Sequence, residues 1–189
     1  METVLILDFG AQYSQLIARR VREQNVYCEV KPCSISPDEI RKLAPIGIIL
    51  SGGPQSVYES VSLHVDPALF SLGVPVLGIC YGCQLMAYSL GGTVAAATEA
   101  TAREYGKTLT EFDTQSAIFH GLPASSVTWM SHGDYISQVP DGFTVTAKTA
   151  VCPTAAMACP EKKLYGVQFH PESIMTPQGR TILKNFLSL

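Results

Sequence analysis

The stretch Pro75-Val76-Leu77-Gly78-Ile79-Cys80-Tyr81-Gly82-Cys83-Gln84-Leu85-Met86 decides how the chain is read. A short apolar run, a cysteine flanked two residues either side by glycine, and a helical pattern follow one another. That is the sequence form of a nucleophile elbow, with Cys80 where many hydrolases carry serine. Glycines at 78 and 82 are expected to let the backbone turn sharply from strand to helix. The helix beyond offers unpaired amides and its positive end to a thiolate. Cys80 is therefore the candidate attacking atom of an enzyme.

Working outward, strands and helices alternate on both sides of the elbow. Val4 to Leu7 is a bare apolar run of the kind found in buried parallel strands. Residues 12–23 carry Leu16, Ile17 and Val21 at helical spacing, beside Arg19, Arg20 and Arg22. Val26 to Val30 reads as a second strand, and Ser36-Pro37-Asp38-Glu39 opens a short helix with a cap residue, a proline and two acids. Ile46 to Leu50 is a third strand, running into Ser51-Gly52-Gly53-Pro54. Asp66-Pro67 starts another helix, Pro75 to Ile79 is the fourth strand, and the helix after Cys80 ends at Gly91-Gly92. This alternation specifies an α/β fold around an open, mainly parallel central sheet.

The second half has shorter strand candidates at 93–97, 107–111, 126–130, 143–147 and 164–169, and one helix at 178–187. They predict an antiparallel extension of the sheet. With no linker, repeat or low-complexity segment, residues 1–189 are expected to form a single domain.

Composition narrows the classes. The chain is 47% hydrophobic and 15% charged with net charge −3 and no run of like charges, which fits a globular domain and gives no nucleic-acid footprint. No apolar stretch approaches the ~20 residues of a membrane span. The acidic, abrupt N-terminus does not resemble a secretory signal. A cytoplasmic location is expected, with the six cysteines as thiols.

A thiol nucleophile needs a base and a group that orients it. Of the four histidines, His170 ends the strand Gly166 to Phe169 and is followed by Pro171-Glu172. Proline stops a sheet ladder, so His170 belongs at the carboxyl end of its strand, on the edge where ligands bind in parallel sheets and where Cys80 lies. Glu172 is close enough to hold the imidazole in one tautomer. Donors for a developing oxyanion are expected from the Tyr81 amide, just after the nucleophile, and from a glycine amide of the Ser51-Gly52-Gly53-Pro54 loop.

Plainer readings stand beside these. Cys80 alone could be a small core residue. Cys80 and Cys83 have C-x-x-C spacing, which also occurs in redox pairs and half zinc sites. No second such pair exists, so no metal is expected. His132 could be a second catalytic histidine, but Gly133-Asp134 points to a turn rather than a strand end, which assigns it to a substrate or interface loop. His64 and His120 are expected at the surface or as caps, and Arg19, Arg20, Arg22 and Lys31 on a solvated face.

Together, Gly78-Ile-Cys80-Tyr-Gly82-Cys-Gln84, Ser51-Gly52-Gly53-Pro54 and Gln168-Phe-His170-Pro-Glu172 resemble the class I glutamine amidotransferases. Within that family the chain is most similar to the glutaminases of GMP synthases. That likeness rests on Ile6 to Tyr13, Ala18 to Glu23, Arg103-Glu104-Tyr105-Gly106 and Trp129-Met130-Ser131-His132-Gly133-Asp134. The resemblance implies a flavodoxin-like sheet and hydrolysis of the glutamine side-chain amide by a triad of Cys80, His170 and Glu172. It implies a γ-glutamyl thioester on Cys80, an oxyanion hole from Gly53 and Tyr81, and substrate contacts from Gln84, Ser131 and His132. No cofactor is implied for this chain. The ammonia would pass to a synthetase partner that uses ATP and magnesium to aminate xanthosine monophosphate (XMP).

Two features depart from the pattern. Glu172 to Gly179 looks more like the anthranilate and aminodeoxychorismate synthase glutaminases, and Cys83 stands where the GMP synthase motif usually has Met. A chorismate-using partner, or a non-catalytic docking module of the same fold, are the alternative readings. The Ser-Gly-Gly-x-Asp-Ser segment expected of the synthetase does not occur, so a stand-alone component or an excised domain is expected.

Overall fold

A computed structural model describes residues 2–10, 13–53, 56–57, 63–97 and 103–189. Pro54 of the glycine loop, and residues 11 and 12 before the first helix, lie outside them. Strands β1 (Thr3–Asp8), β2 (Tyr27–Pro32), β3 (Gly47–Leu50) and β4 (Val76–Ile79) alternate with helices α1 (Tyr13–Glu23) and α2 (Pro37–Leu43), and helix α3 (Tyr81–Ser89) follows. Then come β5 (Thr93–Ala96), β6 (Glu104–Phe112), β7 (Ser125–His132), β8 (Asp134–Gln138), β9 (Thr144–Lys148), β10 (Ala156–Cys159), β11 (Leu164–Val167) and helix α4 (Gly179–Leu187).

The main sheet has nine strands in the order β2-β1-β3-β4-β11-β10-β9-β6-β7. From β2 to β11 every neighbouring pair is parallel. From β11 onward the pairs are antiparallel. The parallel half has the 2-1-3-4-5 order of flavodoxin-like sheets, with β11 in the fifth place. The expected parallel core and antiparallel extension are both present.

Alternation along β1 explains the layers. Val4 and Ile6 face one side with Ile17, Ala18 and Val21 of α1 and Ile182, Leu183 and Phe186 of α4. Leu5 and Leu7 face the other with Ile40 of α2 and Leu85 and Met86 of α3. Successive strand side chains point to opposite faces, so a continuous apolar run is what a strand covered on both sides requires. No helix among the described residues is long and apolar enough to cross a membrane.

Three expectations need correction. Asp66-Pro67 opens a short 3-10 helix, Pro67–Ser71, in which the Asp66 carboxylate accepts from the Ala68 N–H. Strand β10, Ala-Met-Ala-Cys, sits between β9 and β11 in the sheet and does not stand out in the sequence. Its alanines have low strand propensity, and its place between two strands makes it a strand. Strand β8 is a further addition, and it pairs with β5 in a separate two-stranded sheet. His132 is therefore the last residue of β7, with only Gly133 between it and β8, and is not in a loop.

The two elbow glycines act differently from the expectation. Neither has a positive φ; the positive-φ residue of the elbow is Cys80 itself, at φ +53° and ψ −109°. A Cβ at Gly78 would lie 2.6 Å from the Gly82 carbonyl oxygen, and one at Gly82 would lie 2.5 Å from that of Leu50. The glycines let α3 pack backbone to backbone on β3 and β4. Gly82→Ala should therefore lower stability by about 1–3 kcal/mol, as overpacking does, seen as a lower urea midpoint. An unchanged midpoint would contradict this packing account.

Candidate active site

The site is built on strand ends. Cys80 caps α3 without a side-chain cap bond, and its backbone N–H donates to the Val167 carbonyl at 2.8 Å. That bond joins the ends of the adjacent strands β4 and β11. Tyr81 begins α3; its ring lies 5.3 Å from that of Phe9, and its hydroxyl donates to the Leu63 carbonyl. Gly53, beyond the end of β3, is packed against the same pair. A Cβ there would lie 3.3 Å from the Phe9 carbonyl oxygen and 3.4 Å from Tyr81 Cγ. Gly53 and Tyr81 are thus side by side.

His170 follows β11 by three residues and is buried. Its N–H donates to the Trp129 carbonyl at 3.0 Å, and its own carbonyl accepts from Thr176 Oγ1 at 2.8 Å. The Thr176 hydroxyl in turn accepts from the Trp129 N–H at 3.0 Å. Nδ1 lies 2.6 Å from Glu172 Oε1, and the imidazole also hydrogen-bonds the Cys80 side chain. With Nδ1 on the carboxylate, Nε2 is the nitrogen left for sulfur.

The electrostatics favour a charged imidazole. Burial opposes protonation of His170, but the hydrogen bonds and negative charge of Cys80 and Glu172 outweigh it, and its pKa is pushed up to about 11. Glu172 is buried as well, and among the described residues its second oxygen, Oε2, has no hydrogen-bond partner. A cation beside an acceptor carboxylate and a sulfur is the arrangement that keeps a cysteine nucleophilic at neutral pH.

Glu172 is also gripped from behind. Arg20 Nε donates to its backbone carbonyl at 3.0 Å, while Arg20 Nη1 pairs with Glu23 at 2.9 Å. The solvated-face expectation fails for Arg20, whose side chain is only 17% exposed. The segment from Glu172 to Gly179 closes on itself, because a Cβ at Gly179 would lie 1.9 Å from the Pro171 carbonyl oxygen. The stretch from Pro171 to Gly179 is thus a compact turn that braces His170.

The remaining candidates are carried by β7 and α3. The Ser131 carbonyl is 3.7 Å from Cys80 Sγ. His132 points away, with Nδ1 2.8 Å from the Asp134 carbonyl and Nε2 3.0 Å from Glu104 Oε1. Gln84 is buried, and its Nε2 donates to the Asp134 carbonyl at 3.1 Å and to Gln168 Oε1 at 3.0 Å. Gln168 Nε2 lies 3.6 Å from Cys80 Sγ. The sequence motif gives Gln168 no role of its own, since its contact with sulfur arises only in the fold.

Glu104, His132 and Cys152 form a buried group whose ligand atoms lie within 4.8 Å of one another. Each already has a protein partner: Glu104 holds His132 and accepts from Thr149, while the Cys152 thiol donates to the Thr154 carbonyl. Burial, with the Glu104 charge, pushes the Cys152 thiol up to about 12, which opposes the thiolate a metal would need. Hydrogen bonding satisfies this group, and it braces β7 beside Ser131.

All six cysteines are free thiols. Cys83 is fully buried against β11, where a Cβ at Gly166 would lie 2.6 Å from its sulfur. Cys80 and Cys83 belong to core clusters on opposite faces of the sheet. Cys83 packs into a notch that Gly166 leaves open.

Residues 5–189 match the sequence profile of the family described as glutamine amidotransferase class-I. This chain belongs to the class I glutamine amidotransferases. It is 55% identical over 186 residues to a protein named GMP synthase [glutamine-hydrolyzing] from Clostridium botulinum, covering 98% of this chain and 36% of that protein. The protein of that name from Thermobifida fusca is 56% identical over 187 residues, again covering 98% of this chain and 35% of the relative. The chain thus spans little more than a third of the length of these relatives. Among solved structures, a putative GMP synthase subunit from Thermoplasma acidophilum superposes with a TM-score of 0.89 at 31% identity, covering 100% of this chain and 93% of that one. A glutamine amidotransferase from Thermotoga maritima shares the fold, with a TM-score of 0.77 at 19% identity.

For this amidotransferase the His170 charge has a measurable consequence. Its folded pKa of about 11 lies above the unfolded value of ~6.5. The stabilisation from His170 is therefore complete below about pH 6.5 and declines as pH rises toward the folded value. Nitrogen NMR at pH 8 should find both His170 ring nitrogens protonated. In Glu172→Gln the ring should lose its proton at a lower pH. A His170 that titrates between pH 6 and 7 in the parent would contradict this assignment.

Proposed function

We propose that this chain hydrolyses the side-chain amide of glutamine and supplies the ammonia to a synthetase. The observation that carries the reading is the line Cys80, His170, Glu172, drawn from the ends of two adjacent parallel strands. Cys80 Sγ attacks the amide carbon, and the oxygen that becomes negative is held by the Gly53 and Tyr81 backbone amides. His170 gives its proton to the departing nitrogen, so ammonia leaves and a γ-glutamyl thioester remains. A water then attacks the thioester carbon, His170 takes its proton, and glutamate departs with Cys80 regenerated. Glu172 stabilises the imidazolium through Nδ1 in both halves. The Gln84 side chain and the backbone of Ser131 and His132 would meet the amino-acid end of the substrate.

The partner we propose is an ATP- and magnesium-using synthetase that aminates XMP to GMP. The relatives named GMP synthase support this, as does the fact that this chain matches only about a third of their length. The chain itself needs no cofactor in this reading.

Reconstitution with the synthetase tests it. Cys80→Ala should lower glutamine-dependent GMP formation at least about a thousandfold, and His170→Ala by roughly 10²–10⁴. Both should leave ammonia-dependent synthesis by the partner intact. Glutamine use by Cys80→Ala would refute the reading. Restoration of turnover only by a chorismate-using synthetase would keep the glutaminase and replace the partner.

A further inference from the structure

Gln84 and Gln168 form a directional relay that ends on the nucleophile. A side-chain amide has a donor end and an acceptor end, and the network around it decides which points where. The Asp134 carbonyl can only accept, so the Gln84 atom 3.1 Å from it is the NH2 group. The same nitrogen lies 3.0 Å from Gln168, which must therefore present its oxygen. That choice leaves only the NH2 of Gln168 to face Cys80 Sγ, at 3.6 Å. Flipping Gln168 would set two NH2 groups against each other and a carbonyl oxygen against the sulfur. Gln168 is wholly buried and Gln84 nearly so, so bulk water does not replace these partners.

The sulfur sits between opposed groups. The Ser131 carbonyl, 3.7 Å away, accepts from an S–H and repels a thiolate. A donor N–H does the reverse, and a buried hydrogen bond to a charged acceptor is stronger than one to a neutral acceptor. We propose that Gln168 stabilises the Cys80 thiolate through its side-chain amide, and that Gln84 is the positioning residue that fixes which end of that amide meets the sulfur. Gln84 then acts on the nucleophile as well as on the substrate side of the site. Through the Asp134 carbonyl, the start of β8 is linked to the state of Cys80. The inference rests on Cys80 as the nucleophile of the proposed function.

The test reads thiolate formation without turnover or partner. Alkylation of Cys80 by iodoacetamide is followed from pH 5 to 10 by peptide mass spectrometry, on the parent, Gln168→Met, Gln168→Glu and Gln84→Leu. Gln168→Met keeps the length and removes the donor. It should move the midpoint up by about one pH unit, which is about tenfold slower labelling below the midpoint. Gln168→Glu keeps an acceptor for Gln84 but turns an oxygen toward sulfur, and should shift the midpoint further. Gln84→Leu should shift it in the same direction by less, and the Gln84→Leu, Gln168→Met double variant no more than Gln168→Met alone.

A merely structural Gln168 would give the opposite order, with Glu milder than Met because it preserves the bond to Gln84. That order, or equal midpoints in all four proteins, overturns the relay. A parent in which Cys80 is not labelled anywhere in the pH range overturns the nucleophile reading, and the relay with it. Circular dichroism identifies any variant that fails to fold, and the ordering of the remaining variants then decides.

Discussion

The hydrogen bond from the Cys80 backbone N–H to the Val167 carbonyl is the constraint on which the site depends. It locks the end of β4 to the end of β11 at the point where each strand leaves the sheet. Cys80 is held there in a positive-φ conformation that a non-glycine residue adopts at a cost. The sulfur consequently projects from a sharp turn rather than along a helix face. Three residues after β11, His170 emerges within reach of it. Neither side chain would meet the other if the two strands were not parallel neighbours.

Around this junction, charge and dipoles are arranged in opposition. His170, Gln168 and the start of α3 offer donors or positive potential to the sulfur. The Ser131 carbonyl offers the reverse. Glu172 is buried behind the imidazole with one oxygen engaged and its backbone tied by Arg20. A buried carboxylate without a cationic partner is costly, so Glu172 and His170 are best understood as one buried charged unit. The compact turn from Pro171 to Gly179 and the Thr176 hydroxyl hold that unit in place.

Local patterns are readable in the chain itself. The apolar runs of β1, β3 and β4 declare buried strands because both of their faces are covered. The Gly-x-Cys-x-Gly spacing marks the elbow, although its glycines serve close packing and the unusual dihedral falls on the cysteine. The parts that are not legible join residues far apart. Arg20 and Glu172 are 152 positions apart, and Gln84 and Gln168 are 84 apart. No period or motif encodes such contacts; they exist only once α1, α3 and β11 have packed. Strand β10 is hidden for a related reason, since Ala156 to Cys159 carries little strand propensity and owes its state to β9 and β11. His132 is misread through Gly133, which joins two strands where the sequence pattern predicts an open loop.

In the proposed reaction Cys80, in contact with His170, attacks a glutamine amide bound at this edge of the sheet. Covalent capture tests it most directly. The chain is incubated with a chloroketone analogue of glutamine at pH 7 and mapped by intact and peptide mass spectrometry. A single adduct on Cys80 is expected, formed more slowly when glutamine is present and slowed again in His170→Ala. Labelling spread over the other cysteines, or labelling of Cys80 indifferent to both glutamine and His170, would contradict it.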